Sequence, residues 1–511
     1  MKYFKPRIGK NVIETLTLGM YEDALVIYRE YVQNAADQID IAVEKKILTR
    51  KSEGKINITI DKELRKIIIE DNATGIENEN VLQFLGDVAN SQKDKEKRKG
   101  FRGIGRLGGL GYCEKLIFET SYKGENTKNT ITLNAEQLKK ILENKGDTSD
   151  ASTVISIITS LDESKCEVEE HYFKVTLEKI TKDDLLDSES VSSYLSLVAP
   201  IPYIPEFKFK DKIYSYYKAN KIAIDEYDVH LTINDVKLYK PYKSQFYKNE
   251  EKFSQLLDVV CFTITNIEEE EEIIAIGWYG ITNKLNYQIP DENIEGGIRL
   301  RKENIGIGDK LTLSKYFGQP RQNLNYIGEV HAIGSGFTPN ARRDNFNDSR
   351  TYSLLEDKLR AMFSSLGSLT GNSSTLHNRK KDVIKYKQAL TEFEIKSNSG
   401  QHTERELEHL GEDLKKFKDQ AVYSVSEIRK IKDKSIDDSK LMVVYDFIIN
   451  DLDVIIDDEE IDLNIKTYPI TLSQLNSEEK ELLMDIFNII NDNLDWKDAE
   501  MLKKKIAEKY N

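Results

Sequence analysis

Three cysteines in 511 residues cannot build a disulfide framework. Cys113, Cys166 and Cys261 lie far apart and match no metal-ligand spacing, so they read as free thiols of a reducing compartment. Proline is scarce too, nine in all, so the Pro-punctuated stretch APIPYIPEF near residue 200 stands out as a boundary. No run approaches the roughly 20 apolar residues of a membrane span. The opening MKYFKPRIGK has no apolar run after its charges, so no signal peptide is expected. A soluble, cytoplasmic protein is the expectation. The net charge of −14 gives no general push toward nucleic acid, which would have to act through a local basic patch.

What is present starts with YREYVQNAAD, Tyr28 to Asp37. Read as a helix, it puts Glu30, Asn34 and Asp37 on one face at i, i+4 and i+7. Two carboxylates and a carboxamide in one stripe suit a site that handles water, a divalent metal and a phosphate. Asp37 has a plainer alternative as a helix-surface carboxylate. The following KINITIDKELRKIIIED alternates apolar and polar residues around a turn and predicts a β-hairpin. It ends at Asp71, with Gly75 four residues on. A strand-end carboxylate can accept a hydrogen bond from a purine amine, and a glycine lets backbone approach a base closely. An ordinary Asx turn is the simpler use of the same residues.

A basic segment, Ser91 to Lys99, leads into Gly100, Gly103, Gly105, Gly108, Gly109 and Gly111. So many glycines cannot be a helix interior, since each costs about 1 kcal/mol against alanine. They can wrap phosphates with backbone N–H groups and then open a helix toward the anion. A Rossmann turn is excluded because no strand directly precedes them, and a P-loop because no Gly-Lys-Ser/Thr follows. KLIFETS and STVISIIT predict strands, the second opened by Ser152 and Thr153; residues 165–190 predict helix plus turn.

The ordered set E-x-x-x-N-A-x-D, D-x-x-x-G after a strand, and G-x-x-G-x-G after a basic loop resembles the GHKL ATPase superfamily of gyrase, the ninety-kilodalton heat-shock chaperone, histidine kinases and MutL. LTLGMY before the helix is closer to the heat-shock-protein-90-like branch. The resemblance implies ATP and Mg²⁺ as cofactors. It implies Glu30 as general base, Asn34 as magnesium ligand, Asp71 as acceptor of the adenine amine and Gly75 as the close-approach glycine. Lys99, Gly100, Gly103, Ile104 and Gly105 become the phosphate lid, and Thr153 the threonine near the adenine. Two positions depart from the pattern: Ala73 stands where a glycine is usual, and Ser152 precedes Thr153 in place of glycine.

The implied fold class is α+β. An N-terminal Bergerat-type α/β sandwich is expected over residues 1–196 and a second α/β transducer domain over 197–368. A helical hairpin is expected over 369–436 and a small helical region over 437–511. VHLTINDVKLYKPY is expected as a hairpin of the second domain, and LTGNSST (369–375) as a linker. Pro339-Asn340-Ala341-Arg342-Arg343-Asp344 resembles the heat-shock-branch segment whose arginine reaches the γ-phosphate, which places Arg343 there with Arg342 as the neighbouring alternative. A salt bridge to Asp344 is the structural reading of Arg343. Arg299, Arg301 and Lys302 read as a basic strand surface. The acidic stretch within 440–466 reads as a solvated edge, and Asn476 with Glu479 as a helix cap. The implied function is an ATP-hydrolysing conformational switch, a nucleotide-gated homodimer acting on a protein client or effector. The alternatives are a DNA-handling clamp similar to MutL or MORC ATPases, and an ATP sensor of a bacterial anti-phage defence system.

Overall fold

The computed structural model describes residues 8–17, 23–86, 105–231, 236–266, 272–399, 404–450, 452 and 476–510. The chain forms two compact units, Met1–Thr282 with Tyr287–Gly367, and Asn283–Asn286 with Ser368–Asn511. Mixed sheets with a helical C-terminal region make this an α+β protein.

The first unit contains two sheets. The eight strands of the first are β1 (Lys55–Asp61), β2 (Lys66–Asp71), β3 (Lys115–Ser121), β4 (Thr127–Asn134), β5 (Thr159–Lys165), β6 (Tyr172–Glu178), β7 (Asp228–Leu231) and β8 (Val236–Lys237). Their order across the sheet is β5-β4-β3-β6-β2-β1-β7-β8. All pairings are antiparallel except β1 with β7. The expected hairpin β1–β2 forms in the register Ile58↔Ile69, so Ile56, Ile58, Ile60, Ile67 and Ile69 share one buried face. Asp71 continues that face at the strand end, which is why a carboxylate there is buried.

Helices α1 (Asn11–Thr17), α2 (Val26–Glu44), α3 (Val81–Gly86), α4 (Ala135–Glu143), α5 (Ala151–Ile158) and α6 (Ser188–Val198) belong to this layer. The α2 helix buries Tyr28, Tyr31, Val32, Ala35 and Ile39 in the core that covers the sheet. Its Glu30–Asn34–Asp37 stripe lies on another face of the helix. Asp37 is not a surface carboxylate: it is fully buried.

The second sheet, in the order β13-β12-β14-β11-β10-β9, comprises β9 (Gln245–Lys248), β10 (Glu251–Asn266), β11 (Glu272–Thr282), β12 (Gly297–Lys302), β13 (Ile305–Ile307) and β14 (Ile327–Ala332). Helix α7 (Lys210–Ala219) packs its Ile213 and Tyr217 into a core with Phe207, Tyr242 and Trp278. Helix α8 (Arg350–Ser399) begins by burying Leu355, Leu359, Phe363 and Leu366, as expected of a helix closing this domain.

In the second unit α8 pairs antiparallel with α9 (Glu404–Ser435): Arg379 lies over Tyr423, Asp382 accepts from Ser424, and Lys385 lies over Phe417. The expected helical hairpin is therefore present. Helix α10 (Ser439–Ile449) packs on α9. Helix α11 (Ser477–Asn493) starts with the expected Asn476–Glu479 capping box and packs on α12 (Trp496–Tyr510).

Five expectations are corrected. Residues 151–158 form helix α5, because the Asp150 carboxylate caps the Thr153 N–H at 2.9 Å and Val154 and Ile158 turn inward at helical spacing. The stretch 172–178, expected within helix plus turn, is strand β6, held between β3 and β2. Residues 228–237 extend the first sheet rather than the second domain, because β7 adds in parallel to β1; the Asn234-Asp235 turn lies outside the described residues. The stretch 369–375 is helical within α8, burying Leu369, Thr370 and Ser373 in place of a linker. Finally, Arg301 is fully buried, not on a basic surface. The acidic residues 453–466 lie outside the described residues.

Candidate functional site

Three distant sequence signals converge on Glu30. Its Oε1 lies 2.9 Å from Nε of Arg343 and 3.6 Å from Nη2 of Arg29. Its Oε2 lies against Gly105, where a Cβ would come within 2.4 Å. Thus one carboxylate oxygen meets the arginine of the second domain and the other meets the glycine-rich segment. The Glu30 and Arg343 side chains are only 8% and 11% exposed. At that depth an unpaired charge is costly, so each needs an opposite charge.

The loop that carries Arg343 is built to present it. Asn340 and Asp344 close it: the Asn340 amide donates to Asp344, and the Asp344 N–H donates to the Asn340 side chain. Arg343 sits in the left-handed region at φ 56°, and its carbonyl accepts from the Gly308 N–H. Such a backbone is strained for a non-glycine residue and persists where its surroundings hold it. Asp344 is engaged by Asn340, and Arg343 pairs with Glu30. Arg342 is exposed, and its carbonyl accepts from Arg29 at 3.4 Å.

The end of the glycine-rich segment is a 3₁₀ turn, Gly105–Gly111. Tyr31 holds it to α2: its hydroxyl donates to the Arg106 carbonyl and accepts from the Gly109 N–H. A Cβ on Gly109 would fall 2.5 Å from that hydroxyl. Tyr31 went unread in the sequence because it belongs to the core face of α2 rather than to the polar stripe. Lys99, Gly100, Gly103 and Ile104 lie outside the described residues.

Asn34, half-buried on α2, offers a neutral hard oxygen one turn from Glu30. A single carboxamide fits magnesium that arrives already held by phosphates. Gln33 is a second unread feature. It is buried, and neither its Oε1 nor its Nε2 has a hydrogen-bond partner among the described residues. Leaving both atoms orphaned costs on the order of 1–3 kcal/mol per group, so a bound ligand would have polar atoms to satisfy here.

At the other end, Asp71 is buried with its Oδ1 accepting the Ala73 N–H at 3.0 Å. Burial pushes its carboxyl up to about 8, against the opposing pull of that hydrogen bond. Gly75 is forced: at φ +68° its Cβ would meet the Ser121 carbonyl at 1.8 Å. The Ala73 carbonyl contacts Nδ1 of His171, so alanine is accommodated at that position. A cradle that excludes side chains, beside a buried carboxyl with an adjacent N–H, fits a planar base.

Thr153 is not brought to this cradle by any contact of the described residues. It is exposed in the first turn of α5. The strand that flanks Asp71 is β6, and Phe173 is the residue directly opposite it.

A second buried charge cluster lies in the second sheet. Glu329 is fully buried, with Arg301 Nε at 2.5 Å, Lys240 Nζ at 2.9 Å and His331 Nε2 at 3.0 Å. Arg301 and Lys240 hold the Glu329 carboxyl well below the ordinary range despite burial. Burial lowers Lys240 to about 8 and His331 to about 4. Arg301 also donates to the Leu197 and Ala199 carbonyls, at the C-terminal end of α6, and so fastens the boundary expected near residue 197 to the second sheet. Among the described residues no group of His, Cys, Asp and Glu is placed to hold a metal, and no helix is long and apolar enough to cross a membrane.

Residues 29–167 match the family described as histidine kinase-, DNA gyrase B- and HSP90-like ATPase. The chain is also similar to several proteins named chaperone protein HtpG. That of Orientia tsutsugamushi (strain Boryong) is 32% identical over 97 residues, 18% of this chain and 15% of the relative. That of Buchnera aphidicola subsp. Cinara cedri (strain Cc) is 24% identical over 327 residues, 59% of this chain and 48% of the relative. That of Chlorobium phaeobacteroides (strain DSM 266 / SMG 266 / 2430) is 31% identical over 112 residues, 19% and 18% of the two chains. The matched segments therefore span less than half the length of these relatives.

Proposed function

We propose, from the premise that residues 29–167 are a GHKL-type ATPase domain of the HSP90-like branch, that the protein binds and hydrolyses ATP and converts turnover into a conformational cycle. The observation that carries this reading is the contact of Arg343 with Glu30. Bound ATP with its magnesium would supply the γ-phosphate, the scissile bond and the metal's polarising charge.

The chain's own residues take the remaining roles. Asp71 and Gly75 seat the adenine, and Asn34 offers the metal its carboxamide oxygen. Gly105 and the turn after it bring backbone N–H groups toward the phosphates. Arg343 exchanges the Glu30 carboxylate for the γ-phosphate, for which a guanidinium fork is well suited. Release of Arg343 leaves Glu30 able to accept a proton from the attacking water. Loss of the phosphate returns the arginine to Glu30.

Because Arg343 belongs to the second domain, its choice of partner links the nucleotide to the position of that domain. We infer that two protomers associate through their ATPase domains while ATP is bound. The work of the cycle falls on a protein client or effector, in the manner of a chaperone. Sedimentation of the full chain with and without ATP tests this: a nucleotide-dependent dimer is expected, and one sedimenting species unchanged by ATP would contradict it.

A further inference from the structure

Helix α2 carries a buried polar side chain that no described contact uses. Gln33 is 1% exposed, and neither its Oε1 nor its Nε2 has a hydrogen-bond partner among the described residues. Buried amides are almost always paired, so an orphaned one calls for a second arrangement in which partners reach it. Its place on the helix limits who those partners are. The core face of α2 is Tyr28, Val32, Ala35 and Ile39. Gln33 follows Arg29 by four residues and Glu30 by three, which makes it a neighbour of both, with Cβ atoms about 5–6 Å apart. Helical side chains lean toward the N-terminus, so Gln33 lies over the turn that carries Arg29 and Glu30. Both of these are buried, and both hold an unused polar atom. The Arg29 Nε has no hydrogen-bond partner among the described residues. The Glu30 Oε1 is ion-paired with Arg343 but accepts no hydrogen bond from a described residue. The atoms are complementary: a donor on Arg29, an acceptor and a donor on Gln33, an acceptor on Glu30.

We propose that Gln33 is the positioning residue of the general base: when Arg343 leaves Glu30, the Gln33 carboxamide takes its place. Nε2 then donates to the Glu30 Oε1, and the Gln33 Oε1 accepts from the Arg29 Nε–H. The same displacement frees Arg29, whose Nη2 donates to the Arg342 carbonyl in the loop that carries Arg343. Gln33 is thus satisfied without touching the nucleotide. The exchange also improves the base. A guanidinium beside a carboxylate holds it ionised and makes it a poorer proton acceptor, whereas a carboxamide fixes its direction and brings no charge. With Oε1 held, Oε2, which lies against Gly105, is left to accept the proton of the attacking water. Arg343 restrains the base in one arrangement, and Gln33 aims it in the other.

This inference rests on the ATP reading, and the experiment separates the two. Steady-state ATP turnover of the full chain is measured for wild type, Gln33→Met, Glu30→Gln and the double variant, with urea midpoints taken without nucleotide. Methionine keeps the length of the side chain and removes both polar atoms. Gln33→Met should lower kcat by about tenfold or more, with KM for ATP within about threefold of wild type. Its urea midpoint should lie at or above that of wild type, because the fold no longer buries two unpaired polar atoms. A residue needed only for the fold would lose midpoint and rate together. In the Glu30→Gln background the methionine should lower kcat by less than about twofold further, since no base is left to aim. Wild-type kcat in Gln33→Met, a lowered midpoint, or a further loss in the Glu30→Gln background as large as in wild type overturns the role of Gln33 and leaves the ATP site standing. Absence of turnover in wild type removes both.

Discussion

The guanidinium Nε of Arg343 lies 2.9 Å from the carboxylate of Glu30, although Glu30 lies on helix α2 of the first layer and Arg343 lies beyond the last strand of the second sheet. The two are mostly buried, and Arg29 supports the same carboxylate from the adjacent helix position. A left-handed backbone at Arg343, strained for a non-glycine residue, holds this arginine in place. On the proposed reading, Glu30 becomes available as a base once another anion, the γ-phosphate, takes the arginine.

Arg343→Ala should therefore act on both stability and rate. It leaves Glu30 buried with Arg29 at 3.6 Å. Breaking a buried pair costs about 3–5 kcal/mol, and the residual exposure of this one places the expectation at or below the lower end. ATP turnover should fall by about tenfold or more. Arg343→Lys should restore stability better than turnover, because an ammonium supplies the charge without the fork. Denaturant midpoints and phosphate release distinguish the two effects, and equal recovery of both by lysine would count against a phosphate role.

Gly75→Ala and Gly105→Ala should fail differently. At Gly75 the added methyl meets a backbone carbonyl and the left-handed φ must also be kept, so the fold should lose more than about 1 kcal/mol. At Gly105 the nearest atom is the end of the Glu30 side chain, which can swing away. That variant should melt near the wild-type temperature yet hydrolyse ATP slowly, because its base is displaced. Thermal unfolding read beside turnover checks the contrast.

Stability should decline on acidification through His331. Its folded pKa is depressed to about 4 from an ordinary 6.5, so between those values the unfolded chain binds the extra proton. Stability is thus fully present above about pH 6.5 and is lost as pH falls toward 4, at up to about 1.4 kcal/mol per pH unit. Glu329 adds in the same direction below its ordinary value of 4.5, since its folded pKa is lower still. His331→Gln should flatten the pH 6.5–4 limb in urea titrations, and an unchanged slope would reject the assignment.

Much of this was legible in residues. The alternation in KINITIDKELRKIIIED gave the β1–β2 hairpin and set Asp71 at its inward-facing end. The i, i+4 spacing pointed to Glu30 and Asn34, and PNARRD to the arginine that reaches Glu30. What was missed depends on partners distant in the chain. The β-branched STVISII favours a strand by composition, but Asp150 caps it and the surrounding helices and sheet bury its helical face. Basic residues alternating along β12 look solvated until the parallel pairing with β14 brings Glu329 against them. The serines and glycine of 369–375 suggest a loop, yet Thr375 returns its hydroxyl to the Gly371 carbonyl inside a continuous helix.

The most direct test of the account is Glu30→Gln, which keeps the shape of the side chain and removes its basicity. Equilibrium ATP binding and phosphate release are measured on the same preparation. ATP should bind within a few-fold of wild type while phosphate release falls by about 100-fold or more, the usual contribution of a general base. Phosphate release at the wild-type rate would contradict the assignment of Glu30, and with it the switch built on its contact with Arg343.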